Sequence, residues 1–204
     1  MRHILSHIEI ARRSGSLRRA VLGIFAATLF TAAAQPTEPP MYFNGITPAI
    51  IEFSIDVAED MAKFVEPRVP VGTEPLRGSF FVTEGKIYRA GTITKENGGQ
   101  FDPNMDGALG TWFCKGTFLV PGSQFDKAAL AVLSDQVFLL PNDGRSIATT
   151  GPEGNGTAIR AVIGGTGPYA GYVGEQRQEF LGFNKSGGVN LRVTIRLRKA
   201  TIFR

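Results

Sequence analysis

The sequence predicts an all-β domain, an antiparallel barrel of about eight short strands, behind a basic leader. Three observations point there. From Val189 to Leu197, Val189, Leu191, Val193, Ile195 and Leu197 alternate with Asn190, Arg192, Thr194 and Arg196, a period of two rich in β-branched residues. The 25 glycines fall mostly between short apolar runs. No long stretch carries a helical period.

The chain opens on a targeting signal. Arg2, Arg12, Arg13, Arg18 and Arg19 make a basic region, Ala20 to Ala34 is uncharged, and Ala32-Ala33-Ala34 before Gln35 is a small-x-small cleavage pattern. The apolar run has 15 residues. A spanning helix needs about 20, so a cleavable signal peptide over residues 1–34 is expected rather than an anchor. Arg18-Arg19-Ala20-Val21-Leu22 also resembles a twin-arginine signal, so export to the periplasm or outside by the general or the twin-arginine route is expected. Residues 35–48, beginning QPTEPP, are an extended linker, and residues 49–204 form the barrel domain.

Cleavage changes the charge. Taking five leader arginines from 22 basic residues, and Glu9 from 18 acidic ones, leaves 17 of each. A near-neutral domain lacks the basic footprint of a nucleic-acid binder. Both histidines, His3 and His7, lie in the leader. The exported domain therefore has no His for a Ser-His-Asp or Cys-His nucleophile or for a metal. Cys114 is the only cysteine, so there is no intramolecular disulfide and the fold rests on its core. Carboxylates, Tyr, Lys and Cys114 remain for acid–base work, and no cofactor or metal is indicated.

The strands follow in order. Ile50–Val57 opens the domain; Ser79–Val82 and Lys86–Thr94 flank a tight turn at Glu84-Gly85; Gly110–Val120 is apolar and aromatic. Gln136–Leu140, Ser146–Thr150, Ala158–Gly164, Gly171–Phe183 and Val189–Leu197 complete the series. Asn142-Asp143-Gly144 and Asn184 to Gly188 are turns. Phe125–Leu133 is the one short helix expected, with a further turn within Val57–Val65. Gly164-Gly165-Thr166-Gly167 sits between two strand-like runs, where glycine permits a tight bend. A phosphate-binding loop would lead into a helix, whereas Tyr169 to Phe183 alternates like a strand.

Here the chain resembles the allene oxide cyclase and dirigent barrel superfamily. Ala161-Val162-Ile163-Gly164-Gly165-Thr166-Gly167-Pro168-Tyr169 matches its apolar strand, Gly-Gly-(Ser/Thr)-Gly turn and aromatic, and Gly174-Glu175 its continuation. Asp143 to Pro152 and Gly110 to Val120 match its turn–strand–Gly-Pro stretch and its central strand. The resemblance covers Gly110 to Leu197 and implies an eight-stranded antiparallel barrel, often trimeric, with an apolar cavity. It implies binding of an apolar small molecule, with guidance of its cyclisation or stereoselective coupling and no cofactor. The alternative is a non-enzymatic exported barrel for adhesion, envelope interaction or lipid carriage. A homotrimer or homodimer is expected, with no membrane span after cleavage.

Residue by residue, the cyclases' strand-one carboxylate falls on Asp56, the candidate catalytic residue, and its Asn partner on Ala58. The aromatic after Gly-Pro falls on Glu153, and the pocket Cys near Phe118, four residues past Cys114. In dirigent proteins paired acids and an Arg do the work, and no register places those acids here. Trp112, Cys114, Phe118, Glu153 and Tyr172 are the candidate ligand contacts. Glu52, Ser54 and Asp56 share a face, either solvated outside the barrel or turned inward with Asp56 as a desolvated acid. The arginines of Val189–Leu197 form a solvated stripe, and Glu175, Arg177 and Glu179 an outer polar face.

Overall fold

A computed structural model describes residues 50–66, 74–140, 144–154 and 156–200. The expected signal peptide (1–34), linker (35–48) and first two turn residues, Asn142 and Asp143, lie outside the described residues.

Eight strands form one closed antiparallel barrel: β1 (Ile50–Glu59), β2 (Phe80–Arg89), β3 (Gly110–Phe118), β4 (Val132–Leu139), β5 (Ser146–Glu153), β6 (Ala158–Gly165), β7 (Tyr172–Phe183) and β8 (Val189–Lys199). Each pairs with the next, and β1 closes on β8 with Ile50 opposite Arg198 and Ala58 opposite Asn190. Closure gives every strand two partners and leaves no bare edge. The period-two pattern sets the facing. Ile51, Phe53, Ile55 and Val57 of β1 point inward with Ile87, Trp112, Phe138 and the odd apolar positions of β8.

Two expectations are corrected. Glu84-Gly85 is no turn, because β2 runs unbroken through it. Gly85 is there for close approach: a β-carbon would lie 2.3 Å from the Ala58 carbonyl oxygen of β1. The helix expected over Phe125–Leu133 is instead a 3-10 segment, Gly122–Lys127, followed by β4 from Val132. There Val132, Ser134, Gln136 and Phe138 all face inward, and that alternation overrides the local helical tendency. A single 3-10 turn, Met61–Lys63, follows β1. Gly164 to Gly167 does join β6 to β7, through the 3-10 turn Gly167–Tyr169 and no longer helix.

A smaller core lies outside the barrel wall. Ala58, Tyr88, Ile93, Phe101 and Leu181 are buried together under the loop that joins β2 to β3. A register shift between Phe180 and Gly182, with Gly182 at φ 112°, turns Leu181 out to this cluster.

Candidate functional site

The inside of the barrel is divided. Towards the end where β1 begins it is filled by Ile51, Phe53, Phe138, Ile147, Tyr169 and Tyr172. Towards the other end the inward positions turn polar: Gln136 and Ser134 on β4, Glu153 on β5, Arg160 on β6, Gln178 on β7 and Glu59 at the end of β1. Four phenylalanines cross this polar end. Phe64 stacks on Phe81 (5.3 Å between ring centres), Phe81 meets Phe118 at 5.0 Å, and Phe118 stacks on Phe125 at 5.0 Å.

Arg160 organises the polar end. Its side chain is wholly enclosed, at 0% exposure. Its Nη1 donates to Glu153 Oε1 (3.0 Å) and the Gly151 carbonyl (3.1 Å), and its Nη2 to the Ser134 carbonyl (2.7 Å). Gly151 makes room for it, since a β-carbon there would lie 3.0 Å from Arg160 Cα and 3.1 Å from its Cβ. Glu153 Oε1 also accepts from Ser134 Oγ and from Gln136 Nε2 at 3.0 Å. Gln136, Gln176 and Gln178 continue the network inward through amide hydrogen bonds of 2.9 to 3.2 Å. A buried cation is thereby paired with a carboxylate held on one oxygen, and Oε2 stays out of the network.

Glu59 is the second acid of the interior. Burial pushes its carboxyl above the ordinary range, and the charges of Glu153 and Asp60 add to the rise. The Val189 amide, which donates to Oε2 at 2.9 Å, and the Thr83 side chain work the other way. Its backbone is clamped by the turn after β7: Asn184 Nδ2 donates to the Glu59 carbonyl at 2.8 Å. Glu59 and Glu153 thus have distinct environments, one desolvated with its carboxyl raised, the other paired with Arg160. Burial also pushes the Cys114 thiol up, so Cys114 remains a protonated wall residue rather than a nucleophile.

Trp112, Cys114, Phe118 and Glu153 all face the interior. Tyr172 lies in the apolar plug at the opposite end of the barrel, away from the acids. An inward Asp56 is corrected: it alternates with inward Ile55 and Val57 and lies on the outer wall opposite Tyr88 and Arg192. Nor is that face solvated there. Asp56 is fully buried under the β2–β3 loop, its carboxylate taking Arg192 Nε at 2.9 Å, Arg192 Nη2 at 3.2 Å and the Ile93 amide at 2.9 Å. Arg192 therefore leaves the expected solvated stripe, and Asp56 ties the loop to the wall. Sequence reasoning missed Glu59, Arg160 and the three glutamines. Glu59 was within reach, being in phase with Ile51, Phe53, Ile55 and Val57 once β1 is extended by two residues.

The closed eight-stranded antiparallel barrel has the fold of the dirigent-type barrels. Two solved structures carry the comparison. The pterocarpan synthase dirigent protein GePTS1 is 12% identical, over 79% of this chain and 92% of its own, with a TM-score of 0.52. The pterocarpan synthase dirigent protein PsPTS1 is also 12% identical, over 77% of this chain and 99% of its own, with a TM-score of 0.52. A pyocyanin demethylase matches more loosely, at 15% identity over 70% of this chain and 98% of its own, with a TM-score of 0.45. No family model and no curated protein matches the sequence.

Proposed function

We propose that this is an exported barrel that binds an apolar small molecule at its acid end and guides its cyclisation. The observation that carries the reading is the pair of unlike acids inside the wall: Glu59, desolvated with its carboxyl held above the ordinary range, and Glu153, bound through one oxygen to Arg160. Glu59 supplies a proton to an oxygen of the substrate as the new ring bond forms. Glu153 Oε2 takes the proton the substrate releases, so the ring closure is an isomerisation with no net change in atoms. The phenylalanines that cross this end, Phe118 among them, hold the flexible molecule near its reacting conformer, which is where most of the rate arises without a cofactor. The dirigent-type fold, shared with two proteins named as synthases, supports ring-forming chemistry over simple carriage.

A second reading has its own support. Phe80, Thr117, Leu133 and Pro152 stand in one row across the outer faces of β2 to β5, with Phe80 and Leu133 about half exposed. Such a row suits self-association into a trimer or dimer, or an interaction barrel without chemistry. Native mass spectrometry of protein purified from its own host separates the two. The expected result is one retained small molecule, and in Glu59→Gln the open-chain isomer of the same mass, told apart by fragmentation. Empty barrels in both proteins would remove the cyclase reading and leave the interaction barrel.

A further inference from the structure

Besides Thr83 Oγ1 on β2, four neighbouring polar atoms inside the barrel have no hydrogen-bond partner among the described residues: Trp112 Nε1, Thr149 Oγ1, Arg160 Nε and Gln176 Oε1. Each belongs to a residue no more than 2% exposed. They belong to neighbouring inward positions. Arg160 faces Gln176 across the β6–β7 ladder. Thr149 faces Gln136 across β4–β5, and Gln136 accepts from Gln176 Nε2 at 2.9 Å. Trp112 stands two positions from Cys114, which faces Gln136 from β3. Leaving a buried donor or acceptor unmade costs its full desolvation, so such a cluster in a closed wall is completed either by ordered water or by a guest that displaces it.

We propose that these atoms form a deep subsite for one uncharged group of the ligand, a group that accepts and donates at once, such as a hydroxyl or a primary amide. Trp112 and Arg160 offer N–H donors, Gln176 offers an acceptor, and the Thr149 hydroxyl serves either way. A carboxylate does not fit. Both Nη atoms of Arg160 are already given to Glu153, Gly151 and Ser134, and Glu153 would oppose a second negative charge. This rests on the small-molecule reading above and adds to it the polarity and charge of the buried end of the guest.

The test is calorimetric titration of the purified barrel with three probes of one ring shape: 1-naphthol, naphthalene and 1-naphthoate. 1-Naphthol should bind about tenfold more tightly than naphthalene, the worth of one hydrogen bond, and 1-naphthoate more weakly than either. Thr149→Val, nearly isosteric, should weaken 1-naphthol about tenfold while leaving the melting temperature unchanged or higher, because it removes an unpaired buried hydroxyl. Trp112→Phe gives an independent reading with the same expected loss of 1-naphthol over naphthalene. Equal affinity for 1-naphthol and naphthalene would overturn the subsite and leave the apolar-binding reading intact. So would a fall of more than about 3 °C in Thr149→Val, since the hydroxyl would then be serving the fold. Failure of all three probes to bind overturns both.

Discussion

Replacing Arg160 by methionine removes the one buried cation of the barrel interior among the described residues and should destabilise the fold by about 3–5 kcal/mol. The figure follows from what is left behind. The carbonyls of Gly151 and Ser134 lose donors at 3.1 and 2.7 Å. Each orphaned neutral acceptor costs on the order of 1 kcal/mol. Glu153 loses its ionic donor at 3.0 Å, and with 24% of its side chain exposed it regains only part of that from water. Its share is about 1–3 kcal/mol. Urea denaturation followed by circular dichroism should show a lower midpoint at unchanged slope. Heating should show a drop of about 6–20 °C, taking about 2–4 °C per kcal/mol for a domain of this size. Glu153→Gln combined with Arg160→Met should recover much of the deficit. An Arg160→Met protein within about 1 kcal/mol of the parent, with no coupling to Glu153, would refute the reasoning.

Two more outcomes follow from the same interior and its outer wall. Because the Glu59 carboxyl is raised in the fold, its contribution to stability is present below the ordinary carboxyl range and is lost as pH rises through the folded value. Glu59→Gln should therefore match the parent near pH 4 and exceed it at neutral pH, a crossing that stability curves at several pH values would reveal or deny. Asp56→Ala should free the β2–β3 loop, since the carboxylate holds both Arg192 and the Ile93 amide. Arg192 is 29% exposed, so we expect a cost of about 2–3 kcal/mol, somewhat under that of a fully enclosed pair, together with faster amide exchange from Ile93 to Phe101. Unchanged exchange there would mean the loop is held by its other ties, among them those to Tyr88, Asn190, Asp60 and the Lys185 amide.

The strands were legible because period two with β-branched residues leaves few other ways to bury one face, and seven of the eight begin within two residues of the expected place. β4 was half hidden. Its first residues, Val132 to Asp135, follow an alanine-rich run whose local tendency is helical, and only pairing with β3 and β5 decides otherwise. Site residues were harder. Glu153 was reached through the Gly-Pro resemblance, while Arg160 sits in Ala158–Gly165 as one polar residue among apolar ones and looks like a solvated position. Nothing local says that Gly151, across the ladder, has given up its side chain to admit it. Asp56 misled for the reverse reason. Its face is outside the barrel, but a loop of the chain covers that outside, and sequence alternation reports facing rather than what lies over a face.

The seam between β1 and β8 places Ile50 beside Arg198, so the first and last strands start and finish at one rim. Glu59 stands at the other rim, nine positions along the same strand. The described chain thus enters and leaves the barrel at the apolar plug, with the acids at the far rim. A group attached just before Ile50 or just after Lys199 would stand at the rim away from Glu59. A circular permutant that joins the two ends and opens a distal hairpin would turn that polarity around.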